Sequence, residues 1–331
     1  MLSQRAIGIG LKLVIVPAVI ICFSTIAGAA TPMKRVRLLF ADLSERMGIG
    51  FVAKDQRFFE ENGLDLDLVQ VSSGPVAVAA MAANEAEFYT VSATGSALGA
   101  MASGLDLVWV AGLINKLDGY FFVSPKIQKP EDLKGKVIGV QSFGGGIWMF
   151  TMMAFDHWGI NPERDKIQLR VIGDQSVLAQ ALTTGIIEGA VLGYAYTGFV
   201  QRNGGRLLAD LGALKIPYQG TGLSARRSFV AGSPDTVERT LRGFAKANQF
   251  LQEKSNQPAV IRSLRKWLRL SPSENTDELY ERMKSLYDRR ISPTREGVQN
   301  ALRVLSKADP KYGKLKVSDL IDDRIARKVE N

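Results

Sequence analysis

Phe58-Phe59-Glu60-Glu61-Asn62-Gly63-Leu64-Asp65-Leu66-Asp67-Leu68 changes its hydrophobic period at one glycine. Before it, Phe51, Val52, Phe58 and Phe59 supply the apolar face of a helix predicted over 51–62, with Gly63 as the stop. After it, Leu64, Leu66 and Leu68 alternate with Asp65 and Asp67, the pattern of a half-buried strand. Upstream, Val36, Leu38 and Phe40 read as a first strand. Downstream, Ser73-Gly74-Pro75 opens a helix, Phe88 to Val91 is a strand, Ala93-Thr94-Gly95-Ser96 opens a second helix, and Leu107 to Val110 is a strand. Strand and helix in alternation predict parallel pairing with right-handed crossovers.

The alternation restarts at Tyr120. Strands are expected at 120–123, 137–140, 168–172, 190–192 and 207–209, with helices after Gly146 and over 176–184. This second unit repeats the plan of the first without repeating its sequence. A strand at 222–225 then leads to helices beginning at Ser233-Pro234-Asp235, with Ser233 as the cap, and near Ala259, Asp277 and Ser292-Pro293. The expected fold class is α/β: two lobes, each a mostly parallel sheet flanked by helices, with a helical C-terminal tail. The boundaries are 34–113 for the first part of lobe 1, 114–218 for lobe 2, and 219–331 for the strand returning to lobe 1 with the tail.

Residues 1–29 read as a secretory signal. Arg5 and Lys12 precede an apolar stretch over 13–26, and Ala27-Gly28-Ala29 has the small residues of a cleavage site, placed near Ala29. The apolar stretch is shorter than the roughly 20 residues of a membrane span. Cys22 sits between Ile21 and Phe23, a poor setting for lipid attachment, so a periplasmic location without a lipid anchor is expected. Cleavage removes the only cysteine, and with it any disulfide, thiolate nucleophile or cysteine-metal site. It also lowers the formal charge of +9 by two; the remaining basic excess reads as a solvated surface rather than a nucleic-acid footprint.

Three loops follow strands and start helices with small or polar residues: Ser72-Ser73-Gly74, Ser92-Ala93-Thr94 and Ser142-Phe143-Gly144-Gly145-Gly146. Open parallel sheets bind ligands beyond the carboxyl ends of their strands, where helix N-termini present unpaired N–H groups. The triple glycine is no phosphate loop, because no Lys-Ser or Lys-Thr follows it. Tyr194 lies just past a strand end and Tyr218 is a further aromatic wall; Ser44, Glu45 and Arg46 follow the first strand. The candidate ligand-binding set is Ser44, Glu45, Ser73, Gly74, Ser92, Thr94, Asn115, Ser142, Phe143, Gly144, Tyr194 and Tyr218. Asp42, Glu45 and Asp118 show no spacing of a metal site or carboxylate pair, and His157, the single histidine, reads as a packed or surface residue. No catalytic residue, metal or cofactor is expected.

The order of several segments resembles a known family. These are 58–66, Ala86-Glu87-Phe88 with Ser92, Asp132-Leu133-Lys134-Gly135-Lys136-Val137-Ile138-Gly139-Val140, Ala181-Leu182 to Glu188-Gly189-Ala190, and Ser233-Pro234-Asp235-Thr236-Val237. The chain resembles the periplasmic substrate-binding proteins of ABC importers, in the branch handling nitrate, sulfonates, taurine and thiamine-pyrimidine precursors. The resemblance runs from about residue 34 to 270. It implies a type II periplasmic-binding fold, with crossings near 110–115 and 215–222 and one solute in the cleft. It further implies a monomer that captures a small anionic or heteroaromatic solute and delivers it to a membrane permease, and no enzyme activity. Tyr194-Ala195-Tyr196 lacks the proline many relatives carry there, which leaves the solute open. A ligand-binding module for a membrane sensor, or an exported enzyme related to pyrimidine synthesis, are the alternatives.

Overall fold

In the computed structural model, residues 32–271 and 275–331 are described; the N-terminal apolar stretch, Cys22 and the cleavage point at Ala29 lie outside them. The chain begins β1 (Lys34–Phe40), α1 (Gly48–Asp55), β2 (Leu64–Gln70), α2 (Gly74–Ala82), β3 (Phe88–Val91), α3 (Gly95–Ala102) and β4 (Leu107–Gly112). It continues β5 (Tyr120–Val123), β6 (Val137–Val140), α4 (Gly146–His157), β7 (Gln168–Val171), α5 (Gln175–Thr183), β8 (Gly189–Leu192), α6 (Thr197–Arg202) and β9 (Arg206–Asp210). It ends β10 (Gly222–Arg226), α7 (Arg227–Gly232), α8 (Pro234–Gln252), α9 (Gln257–Leu268), α10 (Thr276–Leu286), α11 (Arg295–Ser306), α12 (Val317–Leu320) and α13 (Arg324–Glu330).

Two five-stranded sheets result, ordered β2-β1-β3-β10-β4 and β7-β6-β8-β5-β9. In each, one strand runs against the other four: β10 is antiparallel to β3 and β4, and β5 to β8 and β9. The remaining contacts, β1 with β2 and β3 and β6 with β7 and β8, are parallel. The reversed strand is the one that enters each sheet directly after a crossing, so no α-helical crossover intervenes to turn it parallel; the second crossing holds only a 3₁₀ turn at Leu211–Leu214. The crossings run between Gly112 and Tyr120 and between Asp210 and Gly222. No described helix is long and apolar enough to cross a membrane.

The helix expected over 51–62 is broken. α1 ends at Asp55, Arg57 takes φ +62°, and a 3₁₀ turn at Glu60–Asn62 leads to Gly63 at φ +71°. Consecutive residues of a continuous helix diverge by about 100°, which would turn Phe58 and Phe59 to different faces. The break buries both: Phe58 packs edge-on to Phe250 and Phe59 to Phe244, at 5.5 and 5.3 Å between ring centres, on successive turns of α8. Ser233 stands before α8, but its hydroxyl caps nothing; its carbonyl accepts from the Thr236 and Val237 N–H groups. α6 and α7 were not marked by any pattern in the sequence.

Candidate functional site

A pocket of about 50 Å³ lies between the carboxyl ends of the two sheets and is partly open to solvent. From the first lobe, Ala41 and Asp42 follow β1, Gly74 begins α2, Tyr89 to Ser92 come from the end of β3, and Thr94 caps α3 by accepting from the Ala97 N–H at 3.2 Å. Arg46 and Met47 lie in the turn before α1. From the second lobe come Gln141, after β6, and Gly146, Ile147 and Phe150 of α4. The lobes meet closely at the glycine-rich loop. The Ser96 N–H donates to the Gly144 carbonyl at 2.8 Å, and Gly144 takes φ +73° with the Ser96 nitrogen 3.2 Å from where a Cβ would stand.

Charge in the cleft is organised around Arg46, which is buried. Its Nε donates to Asp118 Oδ2 at 2.5 Å, its Nη1 to Asp42 Oδ2 at 3.1 Å, and its Nη2 to the Asp118 carbonyl at 3.3 Å. The guanidinium lies 4.8 Å from the centre of the Phe150 ring. Burial alone would lower the Arg46 pKa; Asp118, Asp42 and Glu45 outweigh it and leave it raised. Asp118 is pushed up to about 6, first by burial, with Glu45 and Asp42 adding to the rise and Arg46 opposing it. Its Oδ1 is buried and has no hydrogen-bond partner. Asp42 is held from three sides: Ser44 Oγ donates to Oδ2 at 2.9 Å beside Arg46, and Gln175 Nε2 of the second lobe donates to Oδ1.

The expected residues divide into four groups. Gly74, Ser92 and Thr94 line the pocket. Ser142 and Gly144 belong to the loop above it, and the buried Ser142 Oγ has no hydrogen-bond partner. Phe143 stands at the rim with 58% of its surface exposed, and Ser73 precedes α2 without a capping side-chain bond. Ser44 and Glu45 act within the polar seam: Glu45, fully buried, accepts from the Tyr194 and Ala195 N–H groups at 2.8 and 3.4 Å. Tyr194, Tyr218 and Asn115 lie away from the pocket lining. The Tyr194 ring packs under Arg282, 4.0 Å from its centre, and its hydroxyl accepts from the Gly119 N–H at 3.2 Å. The Tyr218 hydroxyl donates to the Ala93 carbonyl at 3.1 Å, and Asn115 Nδ2 donates to the Ser292 carbonyl at 2.9 Å. His157 is exposed at the end of α4.

The sequence pattern did not mark Asp42, Gln141 or Phe150 as site residues, and placed Arg46 only as a residue that could reach the cleft, which it lines. The Asp42–Arg46 spacing of four was the available signal, since it matches an ion pair across one helical turn. Gln141 bridges the lobes by donating from Nε2 to the Ala41 and Ser72 carbonyls at 3.2 and 3.0 Å. A lone glutamine after a strand carries no such signal.

With this geometry, residues 46–257 match the model of a protein family described as NMT1/THI5 like. The chain belongs to the NMT1/THI5-like family. YtlA of Bacillus subtilis (strain 168), a candidate binding protein by its description, is 25% identical over 211 residues, which span 62% of this chain and 62% of YtlA. The fold is that of solved periplasmic binding proteins. The periplasmic aliphatic sulphonate binding protein SsuA from Escherichia coli superposes with a TM-score of 0.69 at 18% identity, over 88% of this chain and 92% of SsuA. The periplasmic nitrate-binding protein NrtA from Synechocystis PCC 6803 superposes with 0.70 at 11% identity, over 90% of this chain and 88% of NrtA. By these descriptions, the chain is similar to binding proteins.

Proposed function

We propose that this chain is the solute receptor of an ABC importer, exported by its first 29 residues, closing two lobes on one small solute and presenting it to a membrane permease. The observation that carries this reading is the pocket itself. It lies at the carboxyl ends of two sheets of like strand order and takes its walls from both, so a solute there would bond to both lobes and favour their closed arrangement. The family membership and the likeness to periplasmic binding proteins support it.

Of the two solute classes open from the sequence, the lining favours a neutral or protonated heterocycle over an anion. Asp42 and Arg46 are the charged residues among those that line the pocket. Arg46 already pairs with two carboxylates, so an anion would meet more negative than positive charge. A ring with N–H groups would find Asp42 as acceptor, the Ser92 and Thr94 hydroxyls, and the aromatic side chains of Tyr89 and Phe150. A thermal-shift panel of amino-substituted heterocycles, sulfonates and nitrate tests this. A bound heterocycle at 100 times its Kd adds about 2.7 kcal/mol of stability, and Asp42→Asn abolishes most of that gain. A sulfonate or nitrate that stabilises the chain through this pocket, or a heterocycle bound equally well by Asp42→Asn, overturns the reading.

A further inference from the structure

We infer that Glu45 is a built-in latch, a carboxylate of the first lobe that fills an anion-binding position of the second and so holds the lobes together without any anionic solute. The geometry is that of a bound carboxylate ligand. Both oxygens face consecutive backbone N–H groups just after β8, Tyr194 at 2.8 Å and Ala195 at 3.4 Å, and the side chain is fully buried. Gly193 makes the approach possible: a Cβ there would stand 2.9 Å from both Glu45 oxygens. Glu45 is fixed from its own side as well, because its carbonyl accepts from the Tyr287 hydroxyl at 2.8 Å. The neighbouring Gln175 ties the same strand end to Asp42, its Oε1 accepting from the Gly193 N–H at 2.6 Å.

Two consequences follow. The N–H pair that would otherwise attract an anion is already satisfied, and a second negative charge beside it would meet Glu45 and Asp42 at short range. The latch is therefore also a specificity determinant: it excludes anions from this end of the cleft. It rests on the receptor reading only in treating the cleft as a solute site; the distance measurement uses no cleft solute, so the latch and that reading can fail separately, and only the anion measurement bears on both.

The experiment is an interlobe distance measurement by double electron–electron resonance. Labels are placed at Ala83→Cys in the first lobe and Ile186→Cys in the second, both exposed, in a Cys22→Ser background. The solute-free chain with Glu45 intact is expected to populate a short distance alongside a longer one. Glu45→Ala is expected to shift most molecules to a longer one, and 100 mM sodium formate to restore the short distance in Glu45→Ala alone. Gly193→Ala displaces the carboxylate from the opposite lobe and is expected to lengthen the distance without responding to formate; it decides the matter if Glu45→Ala does not fold. Nitrate and ethanesulfonate are expected to leave the melting temperature of the unaltered chain unchanged. The latch is overturned if both substitutions keep the short distance, if the chain with Glu45 is as open as Glu45→Ala, or if formate fails to reverse the lengthening. A rise in melting temperature with nitrate or ethanesulfonate overturns the exclusion of anions.

Discussion

Arg46 inside the cleft and Arg303 outside it make the same kind of bond in opposite solvents. Arg46 meets Asp118 at 2.5 Å with side-chain exposures of 3% and 1%, whereas Arg303 meets Asp156 at 2.6 Å with 49% and 16%. The outer pair, with Lys307 beside it, joins α11 to α4 across the surface. Distance alone would rank the two equal. Desolvation separates them: water screens the outer pair, while the inner pair has replaced its water with fixed partners and loses heavily if one is removed. The cleft is thus held by a few irreplaceable polar groups, and the outer face by replaceable ones.

The largest effect should come from breaking the inner side of this contrast. Arg46→Met leaves Asp118 and Asp42 without their cation and should cost about 3–5 kcal/mol in denaturant unfolding. A loss below about 1 kcal/mol would show that the buried charges are already compensated elsewhere.

Acidity should sharpen the contrast next. The Asp118 pKa in the folded chain, about 6, lies above its unfolded value of about 3.9. The folded state therefore binds this proton more tightly, and stability rises as pH falls from about 6 to 4. The gain is on the order of 2–3 kcal/mol for Asp118 alone. Carboxylates held low by ion pairs, such as Asp165 at about 2, work the other way, losing their contribution mainly below pH 4. Asp118→Asn should remove the rise between pH 6 and 4 in thermal unfolding; a rise of equal size in the variant would assign it to another group.

The smallest effect belongs to the outer pair. Arg303→Ala should cost about 0.2–1 kcal/mol and lose that difference in 1 M salt. A cost as large as that of Arg46→Met would erase the distinction between the two regions.

What the sequence disclosed follows the same division. Periodicity placed most strands because they bury an alternating or continuous apolar face, as Leu64 and Leu66 of β2 do, while the edge strands β7 and β9 bury no residue fully. It missed the break at Arg57, because the pattern of Phe58 and Phe59 fits a helix until α8 arrives from residues far along the chain to claim both rings. In the site, small residues at helix starts were legible: Gly74, Ser92 and Thr94 line the pocket. The polar seam was not, because Asp118 and Gln175 reach Arg46 and Asp42 only through the crossing and the second lobe. Tyr194 had the right position after β8, but the direction of its ring is set by Arg282 of α10, which no local pattern announces.

The most direct test of the central claim is native mass spectrometry of the chain purified from its own cells, compared with Asp42→Ala. A single small adduct is expected on the unaltered chain, lost in Asp42→Ala and retained in Arg303→Ala. An adduct that persists in Asp42→Ala, or whose position in a crystal lies outside the pocket between the sheets, would contradict it.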